Sequence, residues 1–187
     1  VKPHADTGLL GWQQVAVEVY GGALWNSWLD RDLGLSGRLV VRTPAGARTV
    51  LVRIDAPLLR IPQLAIHLDR DVNGGGLKLD PQRHLVPVWG VGPVDEGGFV
   101  RTVAAAADVD PDEVTAWDVM VHDLTPPTRL GRSQELIASG RLDNLVSCWA
   151  GLHALVDAAD GADGLGADPA PVPVLCLFDH EEVGSTS

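Results

Sequence analysis

Apolar and polar residues alternate with period two along Gln14-Val15-Ala16-Val17-Glu18-Val19-Tyr20, the pattern of a strand with one buried face, and Gly21-Gly22 ends it. The chain predicts a second strand over Ser36-Gly37-Arg38-Leu39-Val40-Val41-Arg42 and a third over residues 48–54. Pro44-Ala45-Gly46 between them marks a turn, so the two form an antiparallel hairpin. Pro62-Gln63-Leu64-Ala65-Ile66-His67-Leu68 fits either a short helix, with Pro in its first turn, or another extended piece. Asn73-Gly74-Gly75-Gly76 reads as loop, residues 85–89 as a short strand and residues 100–107 as a helix. Asp110 before Pro111-Asp112-Glu113 caps another helix start, and residues 116–124 form a strand ended by Pro126-Pro127.

Beyond residue 125 the pattern changes. Glu135-Leu136-Ile137-Ala138 is a short apolar strand. Leu142, Leu145, Val146, Trp149, Leu152, Leu155 and Val156 then recur at helical spacing and share one face of a helix over residues 142–158. Residues 160–171, rich in Gly, Ala, Asp and Pro, read as a flexible connection. Residues 172–178 are almost wholly apolar, as a central strand covered on both faces would be. Strand, helix, loop and buried strand is an α/β order. The fold class is therefore mixed α/β: a β-rich module over about 12–125 followed by a piece of an α/β domain. No internal repeat is present.

Size and charge narrow the function. The 187 residues suffice for one ordinary domain or two small ones, and 45% hydrophobic with 21% charged residues builds a packed core. A formal net charge of -11 argues against nucleic acid or an anionic membrane as partner. The two cysteines, Cys148 and Cys176, form no CxxC and no disulfide framework, which points to the cytoplasm. The opening Val1-Lys2-Pro3-His4 has no apolar signal segment, and no apolar run approaches the about 20 residues of a membrane helix. The lack of an initiator Met and the ending Gly184-Ser185-Thr186-Ser187 read as cuts through a larger protein.

Chemistry concentrates in two places. Asp179-His180-Glu181-Glu182 crowds four ionisable groups at the carboxyl end of the expected buried strand, the edge where open α/β sheets bind ligands. Neighbouring carboxylates repel in a confined site unless a proton or cation intervenes, and two successive side chains point different ways. A solvated acidic turn accounts for the same residues. In Ser139-Gly140-Arg141-Leu142-Asp143-Asn144, Asp143 either caps the long helix or bridges two cations, with Arg141 and Asn144 orienting it. Among the six histidines none forms HExxH. His67 sits in an apolar run, where a packed ring is the plainer reading, and His153 on the long helix reads as structural. There is no P-loop, GxGxxG or GxSxG, and Gly74-Gly75-Gly76 reads as merely flexible. The six tryptophans are spread along the chain and read as core or interface residues.

In order, these segments resemble the aspartyl aminopeptidase family: Gln14 to Gly22 with Leu24-Trp25, Trp28 and Asp30-Arg31-Asp32-Leu33; Leu59-Arg60-Ile61-Pro62 with Leu64-Ala65-Ile66-His67-Leu68; His84-Leu85-Val86-Pro87; Arg141-Leu142-Asp143-Asn144-Leu145 with Ser147-Cys148; and Asp179-His180-Glu181-Glu182-Val183-Gly184-Ser185. The spacing is similar from end to end, with departures in the short 73–80 loop and in residues 160–170. The resemblance implies a β-rich dimerisation domain inserted into an α/β zinc-aminopeptidase domain. Residues 1–11 would end the first catalytic segment, 12–125 would be the insertion, and 126–187 a partial catalytic domain. It also implies dimers assembled into a tetrahedral dodecamer.

By the same resemblance Asp143 bridges two metal ions, Glu182 ligates one of them, Glu181 is the general base, and His67 reaches a neighbouring subunit's site to stabilise the tetrahedral intermediate. The cofactors would be two divalent cations, Zn first and Mn or Co after it. The substrates would be peptides with N-terminal Asp or Glu. The family's His-x-Asp motif would precede Val1, and a further metal Asp and His would follow Ser187. Two carboxylates alone make a poor zinc pair site. The expectation is a metalloaminopeptidase part that lacks activity by itself; the rival reading is a non-catalytic oligomerisation module.

Overall fold

The computed structural model describes residues 1–160 and 172–180, except for the side chain of Asp160. In chain order its elements are β1 (Asp6–Leu9), β2 (Trp12–Val15), β3 (Leu33–Thr43), β4 (Gly46–Leu59), α1 (Val72–Gly75), α2 (Pro81–His84), β5 (Val88–Val91), α3 (Gly98–Ala106), β6 (Val114–Asp123), β7 (Thr128–Leu130), β8 (Leu136–Ala138) and α4 (Leu142–Asp160). Two compact units divide between Thr125 and Pro126.

The first unit contains two antiparallel three-stranded sheets, ordered β1-β2-β5 and β4-β3-β6. Leu10 and Gly11 join β1 to β2 with φ of 51° and 82°, the positive pair that suits a two-residue hairpin to right-handed strand twist. The hairpin expected around Pro44-Ala45-Gly46 is present, with Thr43 opposite Gly46. Its strands are longer than period-two alternation indicates, because β3 is central and pairs with β4 and β6 at once. The alternation over residues 14–20 yields ladder pairing only to Val15; residues 16–20 carry no regular structure.

Leu33, Leu35, Leu39 and Val41 of β3, Val15 of β2 and Val119 of β6 are fully buried, with Phe99 and Val103 from α3. The Phe99 ring lies 5.3 Å from Trp117 on β6 and 6.4 Å from Trp89 on β5, so one aromatic of α3 joins both sheets. Asp6 of β1 fixes where α3 begins. Its carboxylate accepts the backbone N–H of Gly97 at 2.9 Å and of Phe99 at 2.8 Å, satisfying two otherwise unpaired donors at the positive end of the helix.

The helix start expected at Asp110 is a single 3-10 turn, Pro111–Glu113, which Asp110 caps through the Asp112 N–H at 2.9 Å. The strand β6 follows too closely for more. The glycine stretch read as loop is partly a four-residue helical turn, Val72–Gly75, ended by Gly76 at a φ of 77°.

In the second unit β7 and β8 form a small hairpin, and α4 occupies the stretch with the helical apolar spacing. Residues 172–178 depart from expectation: they are not a buried strand. They carry no regular structure, and Phe178 is 83% exposed. An apolar run forms a central strand only when neighbours pair with it on both sides, and among the described residues none does. The run packs on α4 at one point, where a Cβ on Gly151 would come within 2.9 Å of the Leu175 side chain.

Candidate functional site

How the chain reaches His67 follows from a break in the β3–β4 ladder. Leu35 stands opposite Ile54, but Leu33 stands opposite Leu59, so Asp55–Leu58 bulges out of the register. The bulge turns β4 away from its own sheet and toward the other. There Arg60 exchanges backbone hydrogen bonds with Val88 of β5 at 2.9 and 2.8 Å, and the carbonyl of Ile61 accepts the N–H of Asp30 at 2.9 Å. The Arg60 guanidinium pairs with Asp32 at 2.6 Å. Beyond this anchor residues 62–65 have no regular structure and Ile66, His67 and Leu68 form a turn. The segment is not the short helix, and it joins no sheet.

His67 is exposed, and among the described residues no hydrogen bond or ion pair holds its ring. The packed-ring reading therefore fails for the first unit as described. Leu64 and Leu68 beside it are exposed as well.

Asp143 lies where α4 begins, yet its own backbone is extended, with φ of -85° and ψ of 113°, and regular helix follows it. The preceding Arg141 has a φ of 62°, and the Asp143–Asn144 peptide is cis. The Asp143 carboxylate is exposed, and among the described residues nothing pairs with it, so neither oxygen serves as a helix cap. Asp179 and His180 make a bend in which the His180 N–H donates to the Asp179 carboxylate at 3.0 Å. Glu181 and Glu182 lie outside the described residues. His67 belongs to the first unit and Asp143 to the second.

A zinc ion takes about four donors, with carboxylate oxygens among them. Asp143 suits one such place, since both oxygens are available to a cation. The described residues that carry the expected ligands supply this carboxylate alone; Glu182 and any further donors lie beyond them.

A cluster that the sequence reading passed over sits on the β4-β3-β6 sheet. The Arg53 guanidinium donates to both oxygens of Asp55, at 2.9 and 2.7 Å, and the His122 ring lies 3.1 Å from the same carboxylate. The Arg53 hydrogen bond, and after it that of His122, outweigh hydration loss and hold the Asp55 carboxyl below the usual range. At Asp123 burial pushes the pKa up, but the backbone and hydroxyl hydrogen bonds of Thr125, then Arg31, bring it below the usual value. The one sequence signal for the cluster is Gly34, a glycine inside a strand, which marks a close approach.

The family model described as aminopeptidase I zinc metalloprotease (M18) matches residues 1–187. The chain belongs to the M18 aminopeptidase family. It is 55% identical over 188 residues to the protein named "Probable M18 family aminopeptidase 2" of Streptomyces coelicolor, covering 100% of this chain and 42% of that protein. It is 51% identical over 193 residues to the protein of the same name from Mycobacterium tuberculosis, again spanning 42% of the relative.

Two solved M18-type chains show the fold. One is in the cryo-EM structure of the Ape4 and Nbr1 complex, with a TM-score of 0.83 at 30% identity, covering 100% of this chain and 39% of that one. The other is the Saccharomyces cerevisiae mApe1 dodecamer, with a TM-score of 0.71 at 25% identity, covering 100% and 42%. The resemblance to the aspartyl aminopeptidase family thus holds as M18 membership, and the mixed α/β class holds too, with antiparallel sheets in the part described. No helix among the described residues is long and apolar enough to cross a membrane.

Proposed function

We propose that this chain is part of a metal-dependent aminopeptidase that removes N-terminal Asp or Glu from peptides in the cytoplasm. The observation that carries the reading is the M18 match across residues 1–187, with the exposed, unengaged Asp143 carboxylate lying within the matched span. The chain spans 42% of the relatives' length.

Asp143 would bridge two divalent cations, zinc first, and Glu182 would hold one of them. When bound, such cations would acidify water and polarise a carbonyl. Glu181 would take a proton from the attacking water and pass it to the leaving amine. His67 donates a hydrogen bond to the oxygen that becomes negative in the tetrahedral intermediate, from a neighbouring subunit. The mApe1 relative is a dodecamer, which supports self-association of this protein; the β-rich first unit would form the interface. By themselves the 187 residues would associate and bind cations weakly without turnover.

The test separates the adjacent glutamates in the whole protein. Glu181→Gln should lower kcat by about 100-fold or more with metal content unchanged, whereas Glu182→Gln should lose metal as well. Equal metal content and equal activity in the two variants would refute the assignment. Comparing N-terminal Asp, Glu, Leu and Lys substrates tests the acidic preference separately.

A further inference from the structure

We propose that His122 is a positioning residue. Through Asp55 it latches the bulge of β4 from which the chain runs to Arg60, Ile61 and His67. Three observations join here.

The first is the missing side chain of Gly34. It stands opposite His122 in the central strand β3, and a Cβ there would lie 2.3 Å from the Ile54 carbonyl and 2.9 Å from His122 Nε2. The space lets a ring from β6 reach across β3 to Asp55. The second is where Asp55 lies. It is the first of the four bulged residues, which lack partners in the β3 ladder. Side-chain bonds therefore substitute there for missing backbone ones. The third is the ring itself. Its side chain is 13% exposed, and Nδ1 is buried with no hydrogen-bond partner among the described residues, so there Asp55 is its one polar anchor.

Charged groups around the ring come from each packed element. On β4 they are Arg53 and Asp55, which bind one another. On β3 Gly34 brings none, and its neighbours Leu33 and Leu35 are apolar and buried. On β6 the next residue is Asp123, which pairs with Arg31. Arg53 holds the Asp55 carboxyl below its usual range, so the ring meets an ionised acceptor, and a hydrogen bond to a carboxylate is about twice as strong as one between neutral groups.

The latch stands on the geometry of the first unit and holds whether or not His67 acts in catalysis. Amide hydrogen exchange of the whole protein tests it in wild type, His122→Gln, Asp55→Asn and the double variant. Each single variant should lose about tenfold protection over residues 55–61. Residues 36–40 and 116–120, in the regular ladders, should keep theirs. The double variant should lose no more protection over 55–61 than either single one, because the two side chains act through one contact. Asp55 is exposed, so its variant keeps the fold even where the His122 variant is impaired. Unchanged protection over 55–61, a loss spread evenly over β3 and β6, or losses that add in the double variant would each overturn the latch.

Discussion

Single residues set this architecture where side chains are absent as much as where they are present. Gly34 gives up a Cβ so that β3 can pass between the Ile54 carbonyl and the His122 ring. Gly34→Ala should therefore destabilise the protein by about 1–3 kcal/mol, the range for overpacking a tight site, measured as a shift in the urea midpoint. Acid tests a different pair of residues. The folded-state pKa values of Asp55 and Asp123 lie below the usual carboxylate value, so their contribution is full above about pH 4 and disappears as pH falls through the depressed values. The stability gap between wild type and Asp123→Asn should accordingly close as pH is lowered from about 6 to about 3. A gap that stays constant would mean that Asp123 acts through packing.

Residue types alone marked Asp143 and the Asp179 to Glu182 run as chemically dense. They left the choice between cap and ligand open at Asp143. The extended backbone of that residue and its unengaged carboxylate argue against the cap. His67 looked packed because its sequence neighbours are apolar, but those neighbours are themselves exposed. Burial belongs to the folded surface, and an apolar run in a turn does not guarantee it. The Asp55–His122 pair was illegible because its members stand 67 positions apart and meet only across a third strand.

Elements were read well where one face is buried and the period is regular. The β3–β4 hairpin, α3, β6 and α4 all occupy the stretches whose patterns indicate them. Patterns fail where an element's fate depends on a partner. β7 is too short and too exposed to show a period, and it exists because β8 pairs with it. Residues 172–178 have a strand's composition without strand neighbours among the described residues. The start of α3 likewise depends on a distant residue, since Asp6 and Gly97 are 91 positions apart. Asp6→Ala should cost about 0.5–2 kcal/mol, the usual loss on removing a helix cap, and should raise hydrogen exchange first at the N-terminal turn of α3. An unchanged melting temperature and unchanged exchange there would show that the Phe99 contacts alone hold the helix.

At the scale of the whole molecule the residues proposed for the chemistry are divided between two units of one chain: His67 in the first, Asp143 in the second. The proposed mechanism brings His67 to the acidic residues of a different subunit, and mixed assemblies test this directly. In the whole protein His67→Phe should remain folded, assembled and metal-loaded. It should lose kcat by about 100- to 1000-fold, the typical effect of removing one donor to a developing oxyanion. If His67 were only a packing residue, the same change would appear mainly in stability and leave kcat near wild type.

Glu181→Gln chains should be inactive for a separate reason, the loss of the proposed base. When they are co-assembled with His67→Phe chains, some sites combine an intact Glu181 from one subunit with an intact His67 from its neighbour. If one neighbour serves each site and mixing is random at equal amounts, about a quarter of sites are complete, and activity should rise far above that of either parent. Each variant assembled alone has no complete site and should stay inactive. Recovery that scales with mixing ratio and disappears when exchange between assemblies is blocked would establish the shared site. Verified mixed oligomers without recovery would place His67 in its own subunit's chemistry or outside the chemistry altogether.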